Sequence, residues 1–136
     1  MSKKGFTLIE LMLVVIIIGV LVSMVAPRLV GRSEEARISA AAADVNANIS
    51  VALDLYELDN GRYPTTEEGL EALRAKPGAI ASWKGPYLKR RPVDPWGNPY
   101  SYNSPGSHNT DYDLYSYGPD AAEGGNDDIA NWEEKK

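Results

Sequence analysis

The segment GFTLIELMLVVIIIGVLVSMVAP, residues 5–27, decides the fold, because it is a long apolar run that begins close to the amino terminus. Residues 11–26 carry no charge. As a helix that rises ~1.5 Å per residue, residues 6–26 reach across a hydrocarbon layer of ~30 Å. The segment therefore predicts a membrane-spanning helix that carries one acid, Glu10, near its start.

A secretory signal peptide and a simple uncleaved anchor are the alternatives for this segment. A signal peptide ends in a small-residue cleavage motif after its apolar run. The sequence at that place, VSMVAPR at residues 22–28, matches such a motif poorly. In an uncleaved anchor Glu10 would be incidental. Charge does not settle the orientation, because Lys3 and Lys4 on one side face arginines on the other.

The chain beyond Pro27 is acidic. Once Lys3, Lys4 and Glu10 are taken from the totals of 14 basic and 19 acidic residues, 12 and 18 remain, for a net charge of −6. This charge argues against a nucleic acid or an anionic lipid surface as a partner of the polar part. The chain has no Cys, which excludes a disulfide framework and a thiolate metal site. Another source of stability is needed, and Ca²⁺ is one candidate.

A second helical pattern follows Pro27. Apolar residues recur at alternating spacings of four and three along one face; they are Ile38, Ala42, Val45, Ile49, Ala52 and Tyr56. This stripe predicts one long helix from about residue 7 to Asn60, with Gly61 as its left-handed terminator. The expected divisions of the chain are residues 1–5, 6–27, 28–61 and 62–136.

The last third of the chain is rich in turn residues. Thr65 and Glu68 form a capping-box pattern that predicts a short helix through Arg74. NPYSYN at residues 98–103 and YDLYSYG at residues 112–118 alternate as strands do and predict an antiparallel pair. The fold class is therefore α+β, with a long amino-terminal helix on a small antiparallel sheet.

No catalytic constellation is present in the sequence. There is no Cys, one His, no G-x-S-x-G motif and no phosphate-binding glycine loop. The lone His108 has no accompanying ligand spacing and does not indicate a metal site. We expect the protein not to be an enzyme, and a membrane-anchored enzyme that works through paired carboxylates is the alternative.

The stretch KKGFTLIEL, residues 3–11, resembles the leader of type IV pilins and of the pseudopilins of type II secretion. The resemblance implies that a prepilin peptidase cleaves between Gly5 and Phe6 and that the new amine of Phe6 is methylated. Residues 1–5 would leave as the leader, and the apolar helix would remain on the mature protein. Phe6 would then lie at the cytoplasmic face of the inner membrane, with the rest of the chain outside it.

The resemblance supplies a partner for the Glu10 carboxylate. A carboxylate in hydrocarbon costs ~2.5 to 3.5 kcal/mol even on a lenient scale, and such residues have partners. Cleavage would free a cationic amine on Phe6, which offsets part of that cost. Self-pairing one turn along the helix is conceivable. The amine of a neighbouring subunit would also set the axial register between helices, and by resemblance this contact recruits incoming subunits.

Gly19 and Pro27 are expected to weaken the helix. Proline has no N–H to donate and crowds the carbonyl four residues before it, so we expect a kink near Pro27. The alternative is that Gly and Pro are simply common in membrane helices. By resemblance, residues 19–28 lose helical hydrogen bonds when a filament assembles.

Three stretches of the polar part resemble major pseudopilins of the type II secretion system. They are LDNGRYPTTEEGLEAL (58–73), YLKRRPVDPWGNPYSY (87–102) and the carboxyl-terminal YDLYSYGPD with NDDIANW. The resemblance implies a homopolymer, a periplasmic pseudopilus capped by minor pseudopilins, which an inner-membrane platform assembles to export folded proteins. A type IV pilin or competence pseudopilin is the alternative. Many such pilins close their carboxyl-terminal region with a disulfide, and this chain has no Cys.

Asp120, Asp127 and Asp128 lie within nine residues of one another in a glycine-rich loop. Carboxylates this close repel one another unless a cation intervenes, and Trp132 suggests that the segment is packed down. Oxygen ligands on a flexible loop suit Ca²⁺ better than Mg²⁺ or Zn²⁺. The alternative is a solvated acidic loop.

The same resemblance completes the calcium ligand set. It implies backbone carbonyls at Tyr117 and Ala122 in addition to the three carboxylates. The family often has Ser where this chain has Gly125. A water molecule or the Gly125 carbonyl would take that place here.

Overall fold

A computed structural model describes residue 1 and residues 5–133, and for residues 27–30 it describes the backbone alone. Helix α1 spans Leu8–Ala43, a π-helical turn spans Asp44–Asn48, and helix α2 spans Ile49–Asn60. The long helix predicted from about residue 7 to Asn60 is confirmed. It ends at Gly61, whose φ of 73° is the expected left-handed conformation. Contact density divides the chain into Met1–Ala36 and a second unit that begins at Arg37.

The first unit contains an exposed apolar helical segment. Between Leu8 and Val25 its large aliphatic side chains are 50% to 79% exposed. By length and composition, the helical stretch Leu8–Asn60 contains a segment able to cross a membrane, and none of that segment is buried in the structure. The α-helix continues through Pro27. Gly19 lies in open space, with no atom near the position of a missing Cβ. Loss of helical hydrogen bonds at residues 19–28 stays a prediction about the assembled state.

The second unit packs one helical face against a small sheet. Its core contains Val45, Ile49, Leu53 and Tyr56 from the helix, together with Leu73, Leu114 and several tyrosines. Four of the six predicted stripe residues are buried, but Ile38 is 41% exposed and Ala41 takes the place expected for Ala42. A π turn takes more residues than an α turn. The spacing of the buried residues is therefore four at both steps, and they are Ala41, Val45 and Ile49.

Among the residues that the structure describes, three strands form the antiparallel sheet. Strands β1 (Ser101–Asn103), β2 (Asp113–Ser116) and β3 (Ile129–Ala130) lie in that order, with Tyr102 opposite Leu114 and Tyr115 opposite Ala130. The predicted pair corresponds to β1 and β2, whereas β3 was not predicted.

The prediction of a short helix from the Thr65 cap through Arg74 is wrong, because only a shorter 3₁₀ turn forms there. The capping box forms, because Glu68 N–H donates to Thr65 Oγ1 at 3.2 Å and Thr65 N–H donates to Glu68 Oε2 at 2.9 Å. Only a 3₁₀ turn, Leu70–Leu73, follows. Gly69 has φ 58° and ψ −166°, outside any helical region, so the chain cannot continue as an α-helix from the cap.

Candidate functional site

Glu10 caps the helix that bears it. Thr7 N–H and Thr7 Oγ1 donate to Glu10 Oε2 at 2.8 and 3.0 Å, and Glu10 N–H donates to Thr7 Oγ1 at 3.3 Å. This is a capping box at the start of α1, and its Thr-x-x-Glu spacing could have been recognised in the sequence. In the unprocessed chain Phe6 is still joined to Gly5, so the pairing of Glu10 with the Phe6 amine stays a prediction.

The structure brings Asp120 and Asp127 together over Gly125. A Cβ built on Gly125 would lie 2.8 Å from Asp127 Oδ1 and 3.2 Å from Asp120 Oδ2. Asp127 Oδ1 is buried and has no hydrogen-bond donor among the described residues. Two carboxylate oxygens therefore border one small space, and a buried acceptor there lacks a partner.

The third carboxylate has a different role in this conformation. Asp128 Oδ2 accepts the Gly124 N–H at 2.9 Å, and Asp120 Oδ1 accepts the Ala122 N–H at 2.9 Å. Within residue 1 and residues 5–133, no three His, Cys, Asp or Glu side chains are grouped as a metal site. Coordination by Asp128 and by the carbonyls of Tyr117 and Ala122 stays a prediction.

The donor set nevertheless fits a hard cation. Every candidate ligand is an oxygen, which is what Ca²⁺ prefers. A buried carboxylate oxygen without a donor is costly to leave unpaired. The backbone carbonyl of Asp127 also lies against Gly118 so closely that a Cβ there would collide with it, which brings the two ends of the loop together. A cation bound between Asp120 and Asp127 would supply the missing partner.

A cluster that the sequence did not reveal lines a cleft of about 800 Å³, which Gly124, Gly125 and Asp128 of the loop also line. Asp113 is 2% exposed and accepts the backbone N–H groups of Ser107, His108 and Asn109 at 2.7 to 3.0 Å. His108 Nδ1 lies 3.1 Å from Asp113 Oδ2, and its ring stacks on Trp132. His108 is therefore exposed but held by contacts with Asp113 and Trp132, and it is not an isolated loop side chain.

Opposing effects act on the pKa of Asp113. Burial raises the pKa of this carboxyl, but the N–H groups of Asn109, His108 and Ser107 and the His108 imidazole together hold it below its ordinary value. The carboxylate is thus charged at neutral pH and fixes the turn before β2. No local spacing indicates this cluster, since Trp132 lies far along the chain from His108.

The comparisons with known proteins agree over nearly the whole chain. A family model described as type II secretion system (T2SS), protein G, matches residues 28–132, and one described as a prokaryotic N-terminal methylation motif matches residues 1–26. "Type II secretion system core protein G" of Pseudomonas aeruginosa is 49% identical over 97% of this chain and 96% of its own. The protein of the same name from Escherichia coli K12 is 49% identical over 96% of this chain and 92% of its own.

A solved structure supports the same assignment. The crystal structure of the major pseudopilin from the type 2 secretion system of enterohaemorrhagic Escherichia coli is 41% identical, with a TM-score of 0.67 over 76% of this chain and 89% of that chain. The prediction of a pilin-like fold is confirmed, and so is the prediction of a structural subunit that is not an enzyme. The type IV pilin and anchored-enzyme alternatives are set aside. The chain belongs to the type II secretion system protein G family, the structural subunits of the pseudopilus.

Proposed function

We propose that the mature protein begins at a methylated Phe6 and spans the inner membrane once, with its amino terminus cytoplasmic and its carboxyl-terminal region in the periplasm. The membrane span is supported by the exposed apolar surface of α1 from Leu8 to Val25, and the processing at Phe6 is supported by the match of residues 1–26 to the N-terminal methylation motif. Apolar area left in water is unfavourable by about 25 cal/mol per Å². The surface therefore needs lipid before assembly and other helices after it.

The same helix explains how copies would join. Both side-chain acceptor bonds of Glu10 from Thr7 end on Oε2, so neither uses Oε1. After cleavage, Oε1 would accept a hydrogen bond from the Phe6 amine of a neighbouring copy. Such a pair inside lipid favours one axial register, because any other register leaves two charges unpaired. The partners we propose are further copies, minor pseudopilins, the prepilin peptidase and the inner-membrane assembly platform.

We propose Ca²⁺ as the resident cation of the loop from Tyr117 to Asp128. Two observations support this proposal. Asp127 Oδ1 is buried and has no hydrogen-bond donor among the described residues. The carboxylates of Asp120 and Asp127 both lie close to Gly125. The ion would neutralise the carboxylates and hold the loop in its folded conformation. In a chain without Cys, this linkage would supply stability that other small exported domains obtain from disulfides.

Intact mass spectrometry of the membrane-extracted protein tests the processing. We expect a chain that has lost residues 1–5 and gained one methyl group at Phe6. A chain that starts after Ala26 would contradict both the processing and the helical filament.

Thiol labelling tests the orientation, and the absence of native Cys makes the background clean. Thr110→Cys places one thiol at an exposed position of the second unit. A maleimide reagent that does not cross the inner membrane should label it in cells whose outer membrane alone has been permeabilised. Labelling only after lysis of the inner membrane would refute the periplasmic placement.

A further inference from the structure

The π turn at Asp44–Asn48 joins α1 to α2. The Ile49 N–H donates to the carbonyl of Asp44, five residues back. In an α-helix the same N–H would donate to the carbonyl of Val45. That carbonyl accepts the Ser50 hydroxyl at 2.6 Å. A side chain therefore supplies a bond that the wider turn has taken from the backbone, and the turn is stabilised by the residues around it.

Two registers of the preceding helix fit the same place in the core. In the observed register Ala41 is fully buried and Ala42 is partly exposed. If the π turn closed to an α-helix, each residue before it would take the place of the residue one position earlier. Ala42 would then occupy the buried place of Ala41. Residues 40–43 are all alanine, so the exchange leaves the same side chain in the core.

The step between the two registers is a screw motion of α1. One residue of an α-helix corresponds to a rotation of about 100° and a rise of ~1.5 Å. The packing of one helix on another depends on which side chains form the facing ridges. The register therefore determines which face the apolar segment of α1 presents to a neighbouring helix.

The contact between Tyr100 and Asp44 holds the observed register. Tyr100 is buried, and its Oη donates to Asp44 Oδ2 at 2.9 Å. A step of one residue would turn Asp44 by about 100° and break this bond. The closed helix would regain the α-helical bond from the Ile49 N–H to Val45. The two registers thus differ by a few hydrogen bonds and not by the loss of a core side chain.

We infer that the π turn is a latched register switch: release of Asp44 from Tyr100 lets α1 advance by one residue and present another face to its neighbours. The switch gives the subunit one helix face in lipid and another in the pseudopilus. This inference rests on the assembly of copies proposed above.

Thiol labelling of the full processed chain in detergent micelles tests for the second register, because the chain has no native Cys. Ala42→Cys should react faster than Ala41→Cys, since position 42 is the more exposed. Tyr100→Phe removes the latch. It should shift the ratio of the two rates about tenfold toward Ala41→Cys, the change that corresponds to the lower worth of a hydrogen bond to a charged group.

A second tyrosine provides the control for the latch. Tyr63 Oη donates to Asp54 Oδ1 at 3.0 Å, and Asp54 lies in α2, beyond the π turn. Tyr63→Phe therefore removes the same kind of bond without releasing the turn, and it should leave the ratio of the two labelling rates unchanged.

Two variants should lock α1 in the observed register. Deletion of the exposed Ala47 removes the extra residue of the π turn, so a plain α-helix keeps Ala41 in the core. Ala42→Leu keeps the chain length, but leucine would overfill the buried place of Ala41. We expect both variants to insert into the membrane and to give no crosslinked ladders of subunits. Ala43→Leu, at an exposed position, is the control and should assemble.

The outcomes separate the switch from the assembly proposal. Absence of ladders in the unsubstituted protein would overturn the assembly proposal, while the labelling ratio still tests the register. A ratio that Tyr100→Phe leaves unchanged, or a rise of both rates together, would overturn the switch. Normal ladders in either locked variant that folds would overturn its role in assembly. Circular dichroism checks folding, and if one lock fails to fold, the other decides.

Discussion

The imidazole of His108 lies flat on the indole of Trp132, with ring centroids 4.0 Å apart and 4° between the ring planes. His108 belongs to the connection between β1 and β2, and Trp132 follows β3. The stack therefore ties that connection to the chain just beyond the cation loop.

Removing the stacked ring should destabilise the second unit. We expect His108→Ala to lower the free energy of unfolding by about 1 kcal/mol, the usual worth of an aromatic pair beyond its buried area. His108→Phe should recover most of that loss, because it keeps a ring on Trp132 while losing the contact with Asp113. Urea titrations followed by circular dichroism measure both. Equal losses in the two variants would assign the effect to the Asp113 contact instead.

Asp113 should make the free energy of unfolding depend on pH in the acidic range. Its pKa is lowered by folding, so its contribution is complete above the unfolded value near 3.8 and is lost as pH falls through the lower folded value. We expect Asp113→Asn to be less stable at pH 7 and to show a shallower loss below about pH 4. Asp111→Asn, at an exposed position nearby, is the control. Parallel acid profiles for Asp113→Asn and the unsubstituted protein would contradict the prediction.

The contact between Tyr100 and Asp44 should anchor the sheet to the π turn. Tyr100 Oη donates to Asp44 Oδ2 at 2.9 Å, although the two residues are 56 positions apart. Hydrogen bonds to charged groups contribute about 1.5 to 3 kcal/mol. We expect a double-mutant cycle of Tyr100→Phe and Asp44→Ala to give a coupling energy near the lower figure. Strictly additive effects would show that the contact contributes nothing to stability.

The architecture was predictable where the pattern is local. Helical periodicity and Gly61 determine the length of the long helix, and alternation identifies β1 and β2. The strand β3 is two residues long, too short to alternate. The 3₁₀ turn depends on the conformation of Gly69. No neighbouring residue in the sequence predicts that conformation.

The candidate site was predictable only in part, for the same reason. Asp120 and Asp127 lie within one glycine-rich loop, so sequence proximity indicated that they meet. The partnership of His108, Asp113 and Trp132 depends on two loops that the sheet brings together. A local sequence pattern cannot predict contacts between residues that lie so far apart in the chain. The capping of α1 by Thr7 and Glu10 could have been predicted from their Thr-x-x-Glu spacing, which is a local pattern.

Glu10 should be needed for assembly through its charge and not through its cap. Glutamine also serves in a capping box, so Glu10→Gln keeps the helix start and removes the charge that would pair with a neighbouring Phe6 amine. We expect Glu10→Gln to insert into the membrane but to give no crosslinked ladders of subunits and no secretion. Thr7→Val breaks the cap, keeps the charge and should still assemble. Normal ladders in Glu10→Gln, or their loss in Thr7→Val, would contradict this division of roles.

Calcium should stabilise the folded chain through Asp120 and Asp127. An ion that binds only the folded state at a hundredfold excess over its dissociation constant contributes about 2.7 kcal/mol. We expect the processed protein in detergent to melt at a higher temperature in Ca²⁺ than in chelator. Mg²⁺ should have no such effect, because it demands tight octahedral geometry.

Substitutions in the loop separate coordination from charge. Asp120→Ala should abolish the difference between calcium and chelator, because it removes one of the two oxygens that border the space over Gly125. Glu123→Ala removes the same charge from an exposed position of the same loop and should preserve the difference. Equal effects of the two substitutions would mean that Ca²⁺ only screens an acidic segment. Coincident melting curves of the unsubstituted protein with and without chelator, after confirmed removal of metal, would leave the loop as a solvated acidic segment and remove calcium from the account of its stability.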